Sequence, residues 1–299
     1  MWTNGLSGSW HAPANWSLGA VPVFTNSFVL ISNFNSKTIT ADASTPATNL
    51  YLRNLAIGAL QNRQNTLVLT NLVAPFDITR GFTISSGGEL QIYNSDVRVD
   101  GANGSQMTMT AASATLNSGS VLLTNGASLK IGNGSGISAF NISNGVFRTD
   151  NDLRVGALNR SVGRLNLAQG RVGVGFEFFV ADEVGSTGAV VVTGGIIEAT
   201  NAAANTRIGQ RGNGSLIFSN GLAHFDDVSV GRHDTARGTL LVAGGEFACG
   251  TLSIGRFSNA VGMVTVAAAS STSPMAASTW VVKATVLSRT SAAASMHRA

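Results

Sequence analysis

The feature that most constrains this chain is an internal repeat. Five segments read in register: LRVGALNRSVGRLNLAQGRV from Leu153, FFVADEVGSTGAVVVTGGII from Phe178, TRIGQRGNGSLIFSNGLA from Thr206, VSVGRHDTARGTLLVAGGEF from Val228, and LSIGRFSNAVGMVTV from Leu252. Each runs apolar-x-apolar, a polar loop, Gly-x-apolar-x-apolar, and then a glycine-containing turn leading to another short apolar run. The loop-closing glycines Gly163, Gly188, Gly214, Gly238 and Gly262 are 25, 26, 24 and 24 residues apart. The turn glycines Gly170, Gly195, Gly221 and Gly245 each follow seven residues after one of them. A unit of this size cannot bury its apolar face alone, so it must stack on the units before and after it.

Within a unit the apolar residues alternate, and a period of two puts every second side chain on one face of a strand. Four core columns follow: Val155, Val180, Ile208, Val230 and Ile254; Leu165, Val190, Leu216, Leu240 and Val264; Leu167, Val192, Phe218, Val242 and Val266; and Val172, Ile197, Ala223 and Phe247. Three short strands per unit without helical periodicity predict an all-β fold, a parallel β-helix (β-solenoid) with coils of about 25 residues. Looser segments of the same kind, Phe82 to Ile92 and Ser120 to Gly132, extend it backwards. The expected organisation is a Trp-rich entry or cap segment over 1–50, the solenoid over 51–266, and an Ala/Ser/Thr-rich tail over 267–299 with one isolated strand, Trp280 to Leu287.

Composition narrows the function classes. Charged residues are 11% of the chain, against about 25% in an average globular protein, which excludes coiled coils and highly charged disorder. The pI is about 9.8, yet the net charge is only +4 and the basic residues are scattered. Nucleic-acid binding would need them clustered and interleaved with aromatics, so no nucleic-acid partner is expected. No apolar run approaches the roughly 18 residues of a transmembrane helix. The single cysteine, Cys249, excludes an intrachain disulfide and any zinc site built on several thiolates, and reads as a small buried residue. Met1 to Gly5 lacks the basic start and apolar stretch of a signal peptide. With Lys only at positions 37, 130 and 283 and abundant Asn, Ser, Thr and Gly, the composition suits the mature form of an exported protein better than a cytoplasmic enzyme.

Candidate chemistry is sparse. The strings Gly132-Asn133-Gly134 and Gly173-Val174-Gly175 are expected at solenoid corners, because a phosphate loop would need a following amphipathic helix. The densest polar cluster is His224, Asp226, Asp227, Arg232, His233 and Asp234. The coil register also predicts a corner ladder of Asp152, Glu177, Asn205, Asp227 and Thr251, whose stacked oxygens would suit a cation or a sugar but equally serve as turn acceptors. With only 15 acidic residues and no facing cluster, no catalytic residue, cofactor or metal site is expected. An outward column, Asn166, Val191, Ile217, Leu241 and Thr265, carries three consecutive apolar residues, which suggests a covered stripe. Because solenoid ends expose unpaired strand edges, the candidate subunit contacts are Trp2, Trp10 and Trp16 at one end, Trp280 and Val282 at the other, and Val191, Ile217 and Leu241 on the side.

At the repeats, best from Leu153 to Val172 and from Val228 to Phe247, the sequence resembles the autotransporter/PEP-CTERM-associated β-strand repeat proteins of Gram-negative bacteria. The opening, with Trp10, Ala14-Asn15-Trp16, Gly19 and Pro22, is similar to the Trp-rich start of such proteins. The resemblance implies a right-handed β-helix that is secreted or carried on the cell surface, and no particular chemistry. Neither that family's C-terminal membrane barrel nor a recognisable sorting tail is read in this sequence, so export and anchoring by those routes are not expected from it. The function expected is therefore a non-catalytic extracellular structural solenoid that self-assembles head to tail into a homopolymeric filament, matrix or surface layer. The alternative is a carbohydrate-active or carbohydrate-binding β-helix, polysaccharide lyase- or hydrolase-like or an adhesin passenger, with surface glycans as partners.

Overall fold

A computed structural model of the protein describes residues 1–25, 28–60, 62–102, 104–201, 204–267 and 283–288, the last by backbone alone. The strands form a β-solenoid of about nine turns, successive turns lying about 25 residues apart. Among the described residues every strand-to-strand ladder is parallel. The only helical segments among the described residues are two short 3₁₀ turns, Pro13–Asn15 and Ala47–Asn49.

Three sheets make up the walls. Sheet A stacks, among others, Lys37–Ala41, Asn65–Thr70, Val162–Leu167, Thr187–Val192, Asn213–Phe218, Arg237–Val242 and Val261–Val266. Sheet B contains Arg171–Val174 and Ile196–Ala199, and sheet C contains Leu153–Val155, Phe178–Val180 and Asn205–Ile208. All four predicted core columns exist in register. In sheet A, Leu165 pairs with Val190, Val190 with Leu216, Leu216 with Leu240, and Leu240 with Val264. Burial alternates as the period of two requires, with Leu216 and Phe218 in the core and Ile217 half-buried outside.

The loop-closing glycines are also in register, and close approach explains them. A Cβ on Gly188 would stand 2.3 Å from the Val155 carbonyl oxygen and 2.4 Å from the Ala181 nitrogen. The turn glycines answer a different demand: Gly170 has φ +91°, a backbone state that costs an L side chain about 1 kcal/mol or more.

The stack begins earlier than the expected boundary at residue 51. Gly8–Ser9 pairs with Lys37–Ala41, and Val29–Ile31 pairs with the strand Tyr51–Ile57, so these earlier strands already stack in the solenoid. Trp2, Trp10 and Trp16, expected as subunit contacts, are buried at 0%, 0% and 4% exposure. Their rings meet edge to face at 5.1 and 4.9 Å, and Trp10 packs on Phe76 at 5.3 Å. The indole N–H groups donate to the carbonyls of Asn4, Asn49 and Trp10. The physical reason for the correction is that these rings pack inward on one another and on Phe76, with their polar edges satisfied internally.

At the other end Lys283–Ser288 adds a parallel rung above the strand Glu246–Ile254. The strand expected to be isolated thus continues the stack of its own chain. Trp280 and Val282 lie outside the described residues.

Candidate functional site

The predicted corner ladder sits at the entrance of sheet C. Asn205 pairs with Asp227 and Asp227 with Thr251, while Leu153 pairs with Phe178 and so places Asp152 level with Glu177. These groups bind one another and their neighbours. Arg154 reaches Asp152 at 2.6 Å and also pairs with Asp182 from the next coil. Arg207 pairs with Glu177 at 2.5 Å. The Thr251 hydroxyl donates to Asp227.

Between the two arginines stands Phe179. It occupies an outward position of sheet C, in register with Arg154 below and Arg207 above. Their guanidinium carbons lie 4.3 and 5.0 Å from its ring centroid, and its exposure is 3%. Two cations thus cover an outward phenylalanine, a cation–π arrangement fixed from behind by three carboxylates. Burial pushes the Asp182 carboxyl above the usual range, with Arg154 opposing the shift. Burial likewise lowers the Arg207 guanidinium, with Glu177 opposing. The arrangement clamps adjacent coils together, and its carboxylates are committed to arginines.

The sequence cluster His224 to Asp234 divides between two walls. His224 belongs to the sheet B segment of the strand Leu222–Val230, in line with Glu198 and Ala248, and its Nε2 lies 3.8 Å from Glu246. Arg232 and His233 follow the sheet C segment of that strand. His233 stacks flat on Phe257 at 5.0 Å, and desolvation followed by the Arg232 charge lowers its pKa. Arg232 donates to Gln210 at 3.3 Å, and its Nε has no hydrogen-bond partner among the described residues. The cluster is contiguous in sequence only, because a coil turns a corner within it. Among the described residues no three His, Cys, Asp or Glu side chains converge in a way that could hold a metal ion.

Cys249 is buried, and burial, then the nearby Asp227 charge, pushes its thiol up to about 11. Val191, Ile217 and Leu241 form the predicted outward column, in register and half-buried. Two grooves cross the outer side of sheet B: one of about 360 Å³ beside Arg148, Gly173 and Glu198, and one of about 230 Å³ beside Tyr51, Asp77 and Arg98. No helix among the described residues is long and apolar enough to cross a membrane.

The Arg154, Phe179 and Arg207 column is the arrangement that sequence reasoning missed. Its signal was present: Phe178-Phe179-Val180 breaks the alternation, and arginine occupies the middle position of the repeats on both sides. Compared with protein-family models, curated proteins and solved structures, the chain matches none. Its class is therefore defined by its own geometry, as a three-walled parallel β-solenoid.

Proposed function

We propose that this chain is a non-catalytic extracellular structural module, a rod in a surface layer or matrix of a Gram-negative bacterium. The observation that carries this reading is the corner ladder. Asp152, Glu177 and Asp182, the side chains that a polysaccharide-cleaving site would need free, are spent on Arg154 and Arg207 in holding coils together. The low charge and the richness in Asn, Ser, Thr and Gly support an exported location.

Assembly in this reading runs through an open sheet edge. The strand Val261–Val266 pairs on one side only among the described residues, and Val261 and Met263 are each 48% exposed along it. Such an edge accepts a strand from a second copy. Negative-stain microscopy and light scattering of the full chain test this. Particles at multiples of the single-rod length are expected, with reversion to single rods in the Val261→Lys/Met263→Lys double variant. A full-length protein that stays monomeric at high concentration, or multimers indifferent to those lysines, would overturn it. Products released from neutral or acidic polysaccharides would replace the structural reading with an enzymatic one.

A further inference from the structure

Gly173 differs from the other glycines of the walls. It lies in the strand Arg171–Val174 at the outward position of sheet B, and its φ is outside the left-handed region. A Cβ built on it would meet Arg148 Cγ and Glu198 Oε1, both at 3.6 Å, which is ordinary contact. Gly188, by comparison, would drive a Cβ into backbone at 2.3 Å. Glycine weakens a strand interior, and neither conformation nor backbone clearance demands it at position 173. What glycine supplies there is the absence of a side chain.

That absence interrupts a column. Arg98, Leu122, Arg148, Gly173, Glu198 and His224 follow one another outward on sheet B, and every other member carries a long side chain. Two rungs of sheet set the backbones of Arg148 and Glu198 about 9.6 Å apart, and their side chains lean over the gap and leave Gly173 itself buried. A groove of about 360 Å³ opens at this gap, lined by Arg148, Asp150, Glu198, Thr200 and Asn201 with the backbone of 173–175. Small-ligand sites begin at about 300 Å³.

The lining is preset and nearly charge-balanced. Arg171 holds Glu198 through three bonds of 2.6, 2.8 and 3.1 Å. Asp150 accepts the Gly126 N–H at 3.0 Å, and the Asn201 amide donates to the Gly175 carbonyl at 2.9 Å. Arg148 has no carboxylate within ion-pair distance among the described residues. Fixed carboxylate acceptors opposite a free guanidinium donor suit a neutral ligand with adjacent hydroxyl groups, each able to donate and to accept. Anionic ligands would meet Asp150 and Glu198 at short range. Side chains already held in place lose little freedom on binding.

We infer that the notch at Gly173 is a binding subsite for a pyranose unit of a neutral polysaccharide, with Arg148 donating to its hydroxyls and Asp150 and Glu198 accepting from them. The subsite does not depend on the assembly reading, since it lies on a wall and not at an end. The test is calorimetric titration of the full chain with cello-, malto-, manno-, xylo- and laminari-oligosaccharides, with oligogalacturonate as the acidic comparison. One neutral series should bind with a Kd on the order of 1 mM, as a single ring with few polar contacts allows. Gly173→Gln should weaken that binding at least tenfold while leaving Tm unchanged or raised, and Arg148→Ala should weaken it too. Four results overturn the inference: no neutral series binds, oligogalacturonate binds best, Gly173→Gln leaves affinity intact, or Gly173→Gln lowers Tm, which would show that the glycine is structurally required.

Discussion

Leu216 and Ile217 are neighbours that the fold sends in opposite directions, so one substitution made at each reads out the register of the whole stack. Leu216 is 1% exposed between Val190 and Leu240, whereas Ile217 is half-buried on the outside. In Leu216→Asp, removing the apolar end of a core leucine costs about 2–5 kcal/mol. The new carboxyl cannot ionise between apolar rungs. Keeping it protonated at pH 7 against a solution pKa near 3.9 costs about 1.36 kcal/mol per pH unit, or about 4 kcal/mol. The sum of about 6–9 kcal/mol rivals the stability of an entire domain.

The sign of the pH dependence follows. The carboxyl's folded pKa is raised, so its penalty is full at neutral pH and fades as pH falls toward about 3.9, returning about 4 kcal/mol. In Ile217→Asp the carboxylate reaches water, and the loss should stay near 1 kcal/mol with little pH dependence. Urea melts followed by circular dichroism at pH 7 and pH 4 make the comparison. The midpoint is the right readout, because stacked repeats need not unfold as one unit. Equal midpoints for the two variants, or a Leu216→Asp loss indifferent to pH, would refute the register argument.

Two further outcomes are expected. With its thiol raised to about 11 and buried, Cys249 should resist iodoacetamide at pH 8 in the native protein and react fully in urea, as mass spectrometry would show. Asp77 has its carboxyl raised by burial, with Arg98 opposing, and its Oδ1 has no partner among the described residues. That group therefore subtracts stability at neutral pH, and the penalty fades as pH falls through its folded pKa toward the unfolded value of about 3.9. Asp77→Asn should be no less stable at pH 7 and should remove this gain on acidification, measured by urea midpoints from pH 7 to 4.

The solenoid was legible because its determinants are local and repeated. An alternating strand such as Gly214 to Phe218 fixes its own inside and outside, and the 24-to-26-residue spacing fixes which residues meet. Two things escaped. The role of the tryptophans depends on how the coils that hold them pack, which no single coil encodes; aromatic residues read equally as outward contacts or as core. The Arg154, Phe179 and Arg207 column depends on contacts between outward side chains of successive coils. Tracking the inward columns, as the repeat invites, left those residues as generic surface. The polar cluster around His224 failed for a related reason: proximity in sequence becomes separation in space wherever the chain turns a corner.

The parallel stacking of successive coils bears on how the rod is made. Pairing partners are separated by little more than one coil, so each closure spans about 25 residues and costs roughly 3 kcal/mol in the logarithmic loop term. That cost is returned only where a finished rung already offers its edge. A chain that emerges amino-terminus first completes its earlier coils before its later ones, and each finished coil templates the next. Growth is vectorial. Each intermediate on the way is a shorter rod whose newest rung is the edge that the next coil must cover.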